Sequence, residues 1–169
     1  MRGYALVLGD NVDTDTIIAA KYLHYTEPEK LAEGVFANAP SIKRRLESLR
    51  KPVVIVSGQG FGYGSSREHA AIALKAAGVK AIVALSFHRI FYRNAINNGL
   101  LVVEALEDPR DKIREGDLVT VKPEEGVVES PHGIVKTRRL PEAVVKLLER
   151  GGLRGELSII AREGIKARG

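Results

Sequence analysis

One stretch of the chain gathers side chains that can do chemistry: Gly58-Gln59-Gly60-Phe61-Gly62-Tyr63-Gly64-Ser65-Ser66-Arg67-Glu68-His69. Its glycines alternate, as in a backbone that turns tightly or lets a ligand come close. The run ends on two hydroxyls, a guanidinium and an imidazole. A helix starting there offers unpaired N–H groups to an anion. Arg67 can grip a carboxylate through two parallel hydrogen bonds. A serine in that field has a second option. The positive helix end and the neighbouring arginine stabilise an alkoxide, which can take a proton from an acidified C–H. A plainer reading stands beside it. Ser65 or Ser66 caps the helix with Glu68 in a capping-box relation to Ser65, and His69 satisfies a local hydrogen bond.

The better-known glycine loops do not fit. From Gly58-x-Gly60 a dinucleotide fingerprint needs glycine where Tyr63 stands, and from Gly60-x-Gly62 it needs one where Ser65 stands. No Gly-Lys-Ser/Thr ending marks a phosphate loop, and no Gly-x-Ser-x-Gly elbow is present.

The loop needs elements to hold it. Val53-Val54-Ile55-Val56 is a continuous apolar run, which predicts a strand buried on both faces and leading into the loop. A helix is predicted from near Arg67 to Gly78, with the small face Ala70, Ala71, Ala73, Leu74 and Ala77 against a sheet. Two further buried strands follow, 81–85 and 100–103. Between them lies a helix over 87–97 for which Ser86 is a candidate cap. This β-α-β-α-β centre demands parallel strands with crossover helices. Tyr4 to Leu8 reads as a first strand. Short helices are expected over 27–35 and, capped by Ser41, over 42–49. Short strands near 117–121, 126–129 and 134–137 suggest a second β layer, and a helix over 141–150 follows. Residues 1–169 are expected to form one α/β domain with layered sheets, the last several residues a loose tail.

Composition narrows the function classes. The 169 residues are 44% hydrophobic and 28% charged, enough for one sizeable core and too apolar for a disordered chain. There is no cysteine, so neither a disulfide framework nor a thiolate-held zinc or iron–sulfur cluster can belong to this chain alone. The net charge of +5 comes from scattered short clusters such as Lys43-Arg44-Arg45 and Arg138-Arg139, with no nucleic-acid motif. Neither nucleic acid nor a membrane is expected as partner. The opening residues run straight into an apolar strand with no secretory pattern, so a cytoplasmic location is expected. Abundant Lys, Arg and Glu with few Asn and Gln hint at a hot habitat.

The loop, from Gly58 through Arg67 to Ala70, closely resembles the signature of the aconitase superfamily's swivelling domain. More narrowly, the chain resembles the separate small subunits of 3-isopropylmalate dehydratases. Three more segments carry the likeness: Gly9-Asp10-Asn11-Val12-Asp13-Thr14-Asp15-Thr16-Ile17-Ile18, Tyr22-Leu23 with the three residues after it, and Ser86 to Leu100. The resemblance implies a three-layer β/β/α swivelling domain. It implies a hydro-lyase subunit, inactive alone, that isomerises 2- and 3-isopropylmalate by dehydration and rehydration in leucine biosynthesis. It places a [4Fe–4S] cluster on a large partner subunit, in a heterodimer or heterotetramer, and no cofactor or metal in this chain. Self-association of the isolated chain is also open. Carried over residue by residue, Ser65 is the base, Arg67 binds a substrate carboxylate and Ser66 assists. Gly64, His69, Asp13, Thr14 and Asp15 support the site, Asp15 by orienting an arginine or serine or by a simple Asx-turn. Arg89 and Arg93, four apart, read as interface, anion field or ordinary surface; Phe87, Ile90 and Phe91 read as core.

Substrate choice rests on Tyr22-Leu23-His24-Tyr25-Thr26. Homoaconitase relatives tend to carry arginine where His24 stands. A largely neutral His24 is a poor permanent partner for a third carboxylate, and Tyr25 can pack beside an isopropyl group. Both are expected to bind substrate. The loop favours isopropylmalate, or citramalate, over homocitrate. A noncatalytic anion-binding module is the alternative from another class. Tyr63 stands where many relatives have cysteine, a change that leaves the assignment of Ser65 untouched.

Overall fold

The structure is a computed structural model that describes residues 1–65 and 67–168. Four parallel strands form its centre: β1 (Arg2–Val7), β2 (Val53–Ser57), β3 (Val79–Ala84) and β4 (Leu101–Glu104). They lie side by side in sequence order. Every crossover therefore steps the same way across the sheet. With right-handed connections, all crossover helices must then fall on one face. Those helices are α1 (Thr14–Ile17), α2 (Pro28–Glu33), α3 (Pro40–Ser48), α4 (His69–Ala76) and α5 (Arg89–Asn97).

The other face needs a different cover, because β2 is buried along its whole length. Strands β5 (Leu118–Lys122), β6 (Val127–Ser130) and β7 (Gly133–Lys136) supply it. β5 pairs antiparallel with β1, and β6 and β7 follow as a meander. The sheet then curls back on itself. An isolated antiparallel bridge joins Ala105, just past β4, to Thr137, just past β7, and Leu106 N–H donates to the Lys136 carbonyl at 2.8 Å. Two cores follow from the period-two alternation of strand side chains. Leu6, Val53, Ile55, Ile82 and Val102 face the helices with Leu74, Phe91 and Ala95. Ala5, Val54, Val56, Val83 and Val103 face Val119, Val121, Val128 and Val135. The layers are thus helices, parallel sheet and curled antiparallel sheet, the expected β/β/α arrangement.

Helix α6 (Glu142–Glu149) closes the second core with Leu148 and Val144. No element is predicted from sequence beyond Arg154, yet the structure has a helix there, α7 (Gly152–Arg168), lying against α5 and α6. Three other local details differ from expectation. Pro40 rather than Ser41 opens α3, with the ring at the first helical position where a missing N–H costs nothing. The polar segment at 13–17 forms a helical turn capped by Asp13. Ile90 faces outward, while Phe91 is buried. No described helix is long and apolar enough to cross a membrane.

Candidate functional site

The glycine loop leaves the carboxyl end of β2 and is stitched on both sides. On one side, Asn11 N–H donates to Gln59 O at 2.7 Å, and Gly62 N–H donates to Val12 O at 2.7 Å. On the other, Phe61 N–H donates to Ser86 O and His88 N–H to Phe61 O. Residues 61–63 therefore run as a short extended rung between Asp13 and Phe87. Ser86 does not cap α5; His88 does, by backbone geometry alone. The Ser86 hydroxyl instead accepts from Gly60 N–H at 2.8 Å, so it serves the loop. Gly62 has φ +87, and a side chain there would run into the Phe91 ring. Phe91 in turn packs edge-on against Phe61 at 5.3 Å.

The root of the loop is tied by charge. Arg110, in a 3₁₀ turn after β4, reaches Asp108 at 2.7 Å and Asp10 at 3.1 Å. Asp10 also accepts from Gln59 N–H at 3.1 Å. Hydrogen bonds from Arg110 hold the Asp108 carboxyl below its ordinary value, and Asp108 first, then Asp10, hold the Arg110 guanidinium above its own. Sequence reasoning missed this tie, because Arg110 lies some fifty residues from the loop it braces.

Beyond Gly62 the loop meets α1. Asp13, rather than Asp15, for which an Asx-turn is the alternative, accepts from Thr16 N–H at 2.7 Å and so caps α1. Thr14, buried in the first turn, donates its N–H to Tyr63 O at 2.9 Å. Its Oγ1 accepts the Ser65 N–H at 3.0 Å. Between these bonds sits Gly64, at φ +115, where an added Cβ would stand 2.7 Å from Thr14 Oγ1. The Asp15 carbonyl accepts from Asn38 Nδ2.

Thr14, Asp15, Ser65 and Arg67 line one crevice with Ile18, Leu23 and Ala70. The structure thus brings residues that bear hydroxyl, guanidinium and carboxylate groups to one crevice with aliphatic ones. The crevice encloses only about 10 Å³, roughly one water's worth, too little to hold a substrate by itself. Ser65 and Arg67 are exposed. Arg67 forms no ion pair among the described residues, and its charge is available to a ligand. Ser66 lies outside the described residues.

The capping-box alternative is not what the structure shows. Helix α4 starts at His69 with Glu68 as its cap residue, and Glu68 makes no side-chain cap bond. Its carboxylate accepts from Asn98 Nδ2 at 3.0 Å, while Arg154 lies 4.0 Å away. Among the described residues Ser65 Oγ is approached only by Arg67 N–H, at a long 3.4 Å. His69 turns Nδ1 inward with no hydrogen-bond partner among the described residues, not the satisfied imidazole of the plainer reading.

The substrate-loop residues divide. Leu23 reaches the crevice, whereas His24 is exposed and stacks on Tyr25 with ring centroids 4.0 Å apart. Tyr25 packs on the helix-side core. Sequence reasoning places Leu23 in the substrate loop without a role and passes over Ile18; both line the crevice. Arg89 lines a separate groove of about 470 Å³ with Tyr92, Glu104, Arg138 and Arg139, and Arg93 lies beside it on α5. Burial and then Glu104 push the Tyr92 hydroxyl up. A broader hollow of about 820 Å³ lies by the amino ends of β3 and β4, at the opposite end of the strands from Ser65. Among the described residues no cluster of His, Asp or Glu could hold a metal ion.

Comparison with known proteins agrees with this architecture. The aconitase C-terminal domain family matches residues 10–108. A 3-isopropylmalate dehydratase small subunit from Saccharolobus islandicus is 46% identical over 153 residues, covering 90% of this chain and 91% of that protein. One from Sulfolobus acidocaldarius is 48% identical over 149 residues, covering 88% and 91%. An isopropylmalate/citramalate isomerase small subunit from Methanocaldococcus jannaschii is 44% identical over 157 residues, covering 90% of each. A crystal structure of 3-isopropylmalate dehydratase from Methanocaldococcus jannaschii superposes with a TM-score of 0.82 at 37% identity, covering 99% of this chain and 97% of that one. With the layered fold, the glycine loop and these likenesses in hand, the chain belongs to the aconitase C-terminal domain family, alongside the small subunits of 3-isopropylmalate dehydratases.

Proposed function

We propose that this chain is the small subunit of a 3-isopropylmalate dehydratase, supplying the base and a carboxylate grip to a site completed by a large subunit. The observation that carries the reading is the small crevice that Ser65 and Arg67 line. Arg67 forms no ion pair among the described residues, yet the crevice encloses only about 10 Å³. A hydroxy diacid needs a second wall, and the names of the relatives supply the reason to seek it on another subunit.

Within that site Arg67 binds a substrate carboxylate and fixes the neighbouring carbon beside Ser65. Ser65, as alkoxide, takes the proton from that carbon. The C–H electron pair forms the double bond as hydroxide leaves the adjacent carbon, so the elements of water are lost together. Return of proton and hydroxide with their carbons exchanged gives the isomer. The large subunit's expected [4Fe–4S] cluster supplies a Lewis acid for the hydroxide. This chain has no cysteine with which to hold such a cluster. Ser66 is placed by likeness as an aid to carboxylate binding. His69, Asp13, Thr14, Asp15 and Gly64 support the loop, and His24 with Tyr25 borders the substrate's far end. We place the complex in the cytoplasm.

The apolar wall of Ile18 and Leu23 favours a substrate with a branched alkyl group over a third carboxylate. Citramalate, with a smaller group, is the second reading, favoured by the relative named for both activities. The test is reconstitution with a cluster-loaded large subunit and a panel of 2-hydroxy di- and tricarboxylates. Isopropylmalate should turn over fastest; preference for homoaconitate would overturn the substrate assignment.

A further inference from the structure

Thr14 makes no contact that its composition or its place in a polar segment would announce, but in the fold it grips the loop on both sides of Gly64. Its N–H donates to the Tyr63 carbonyl at 2.9 Å, and its Oγ1 accepts the Ser65 amide at 3.0 Å. Thr14 itself cannot drift. Asp13 caps α1 one residue before it, the Thr14 carbonyl accepts Ile18 N–H at 2.9 Å, and its side chain is buried. Ser65, by contrast, is exposed, and among the described residues its hydroxyl has only a long contact at 3.4 Å.

We infer that Thr14 is the positioning residue for Ser65: its Oγ1, by holding the Ser65 amide, sets where the Ser65 hydroxyl points. This rests on the assignment of Ser65 as base under the function proposed above. Two consequences follow from the geometry. The Ser65 N–H is committed within the chain, so it does not donate to substrate, and Ser65 acts through its hydroxyl alone. Gly64 is required by contact as well as by its φ of +115, since a Cβ would press on the oxygen that does the holding. A misplacement of about 1 Å at a reacting group can cost on the order of a hundredfold in rate. The clamp therefore acts on turnover rather than on substrate affinity, which Arg67 carries.

Two measurements test it together. The first is amide hydrogen exchange of the isolated full chain by NMR. Ser65, although exposed, should exchange at least about tenfold more slowly than an unbonded loop amide, and Thr14→Val should erase that protection. The second is steady-state kinetics of the reconstituted complex. Thr14→Val, of nearly the same shape, should lower kcat by about tenfold to a hundredfold with KM within about twofold, and Thr14→Ser, which keeps the oxygen, should recover most of the loss. An unprotected Ser65 amide in the wild-type chain overturns the clamp, whether or not Thr14→Val folds. So does a protected amide lost in Thr14→Val with kcat unchanged. An inactive wild-type complex would instead count against the proposed function, and the exchange result would still decide the clamp.

Discussion

The Arg110 guanidinium lies 3.1 Å from Asp10 and 2.7 Å from Asp108, so one side chain ties the segment after β1 to the segment after β4. Gly58, the first glycine of the loop, passes directly beneath it, and a Cβ there would stand 2.7 Å from the Arg110 Nη2. The loop that carries Ser65 is thus anchored at its root by charge and at its far end by Thr14.

Replacing Arg110 by Met should therefore destabilise the chain by about 1–2 kcal/mol at neutral pH, since two carboxylates lose a charged donor at a partly exposed site. The loss should depend on pH. Arg110 holds the Asp108 carboxyl below its ordinary value, so the folded state gains stability above the unfolded aspartate pKa, about 3.9. That gain disappears as pH falls below this value and through the depressed folded one. Urea unfolding of both proteins from pH 7 to pH 3 should show the difference shrinking below about pH 4. A constant difference would mean that Arg110 acts through packing alone.

Much of this was legible in the sequence, for local reasons. Val53–Ser57 and Val79–Ala84 are apolar without alternation because both faces are covered, and the pattern reads directly as strand. Gly58 to Arg67 stood out because few structures need that density of glycine. Long-range pairing leaves no such trace. Nothing near Ala105 announces that it meets Thr137, so the second β layer could be expected but not its closure. The Arg110 tie and the grip of Thr14 on Ser65 are likewise contacts between distant segments. Ser86 misled for a different reason: a serine before a helix is a good cap, but a stronger claim on its hydroxyl came from Gly60 N–H across the fold.

The loop glycines should separate stability from activity. Gly62 is buried at φ +87 against the Phe91 ring, so Gly62→Ala forces both strain and a clash and should cost about 2–3 kcal/mol in thermal or urea unfolding. Gly64 is exposed and meets only Thr14 Oγ1. Gly64→Ala should cost about 1 kcal/mol by its φ yet lower turnover of the reconstituted complex by at least about tenfold. Equal effects of the two substitutions on stability would contradict this division.

Specificity should respond to the residue after Leu23. His24 is exposed and stacked on Tyr25. His24→Arg adds a fixed positive charge beside the crevice and should raise the kcat/KM ratio of homoaconitate to isopropylmalate by about tenfold or more. An unchanged ratio would remove His24 from substrate recognition and leave Leu23 and Ile18 as the discriminating wall.

The central claim is that the Ser65 hydroxyl is the base. Its most direct test is the rate of interconversion of 2- and 3-isopropylmalate by the complex of this chain with a cluster-loaded large subunit, wild type against Ser65→Ala. A loss of at least about a hundredfold in kcat is expected, with the two subunits still co-eluting and substrate still binding through Arg67. Full turnover by an assembled Ser65→Ala complex would contradict it.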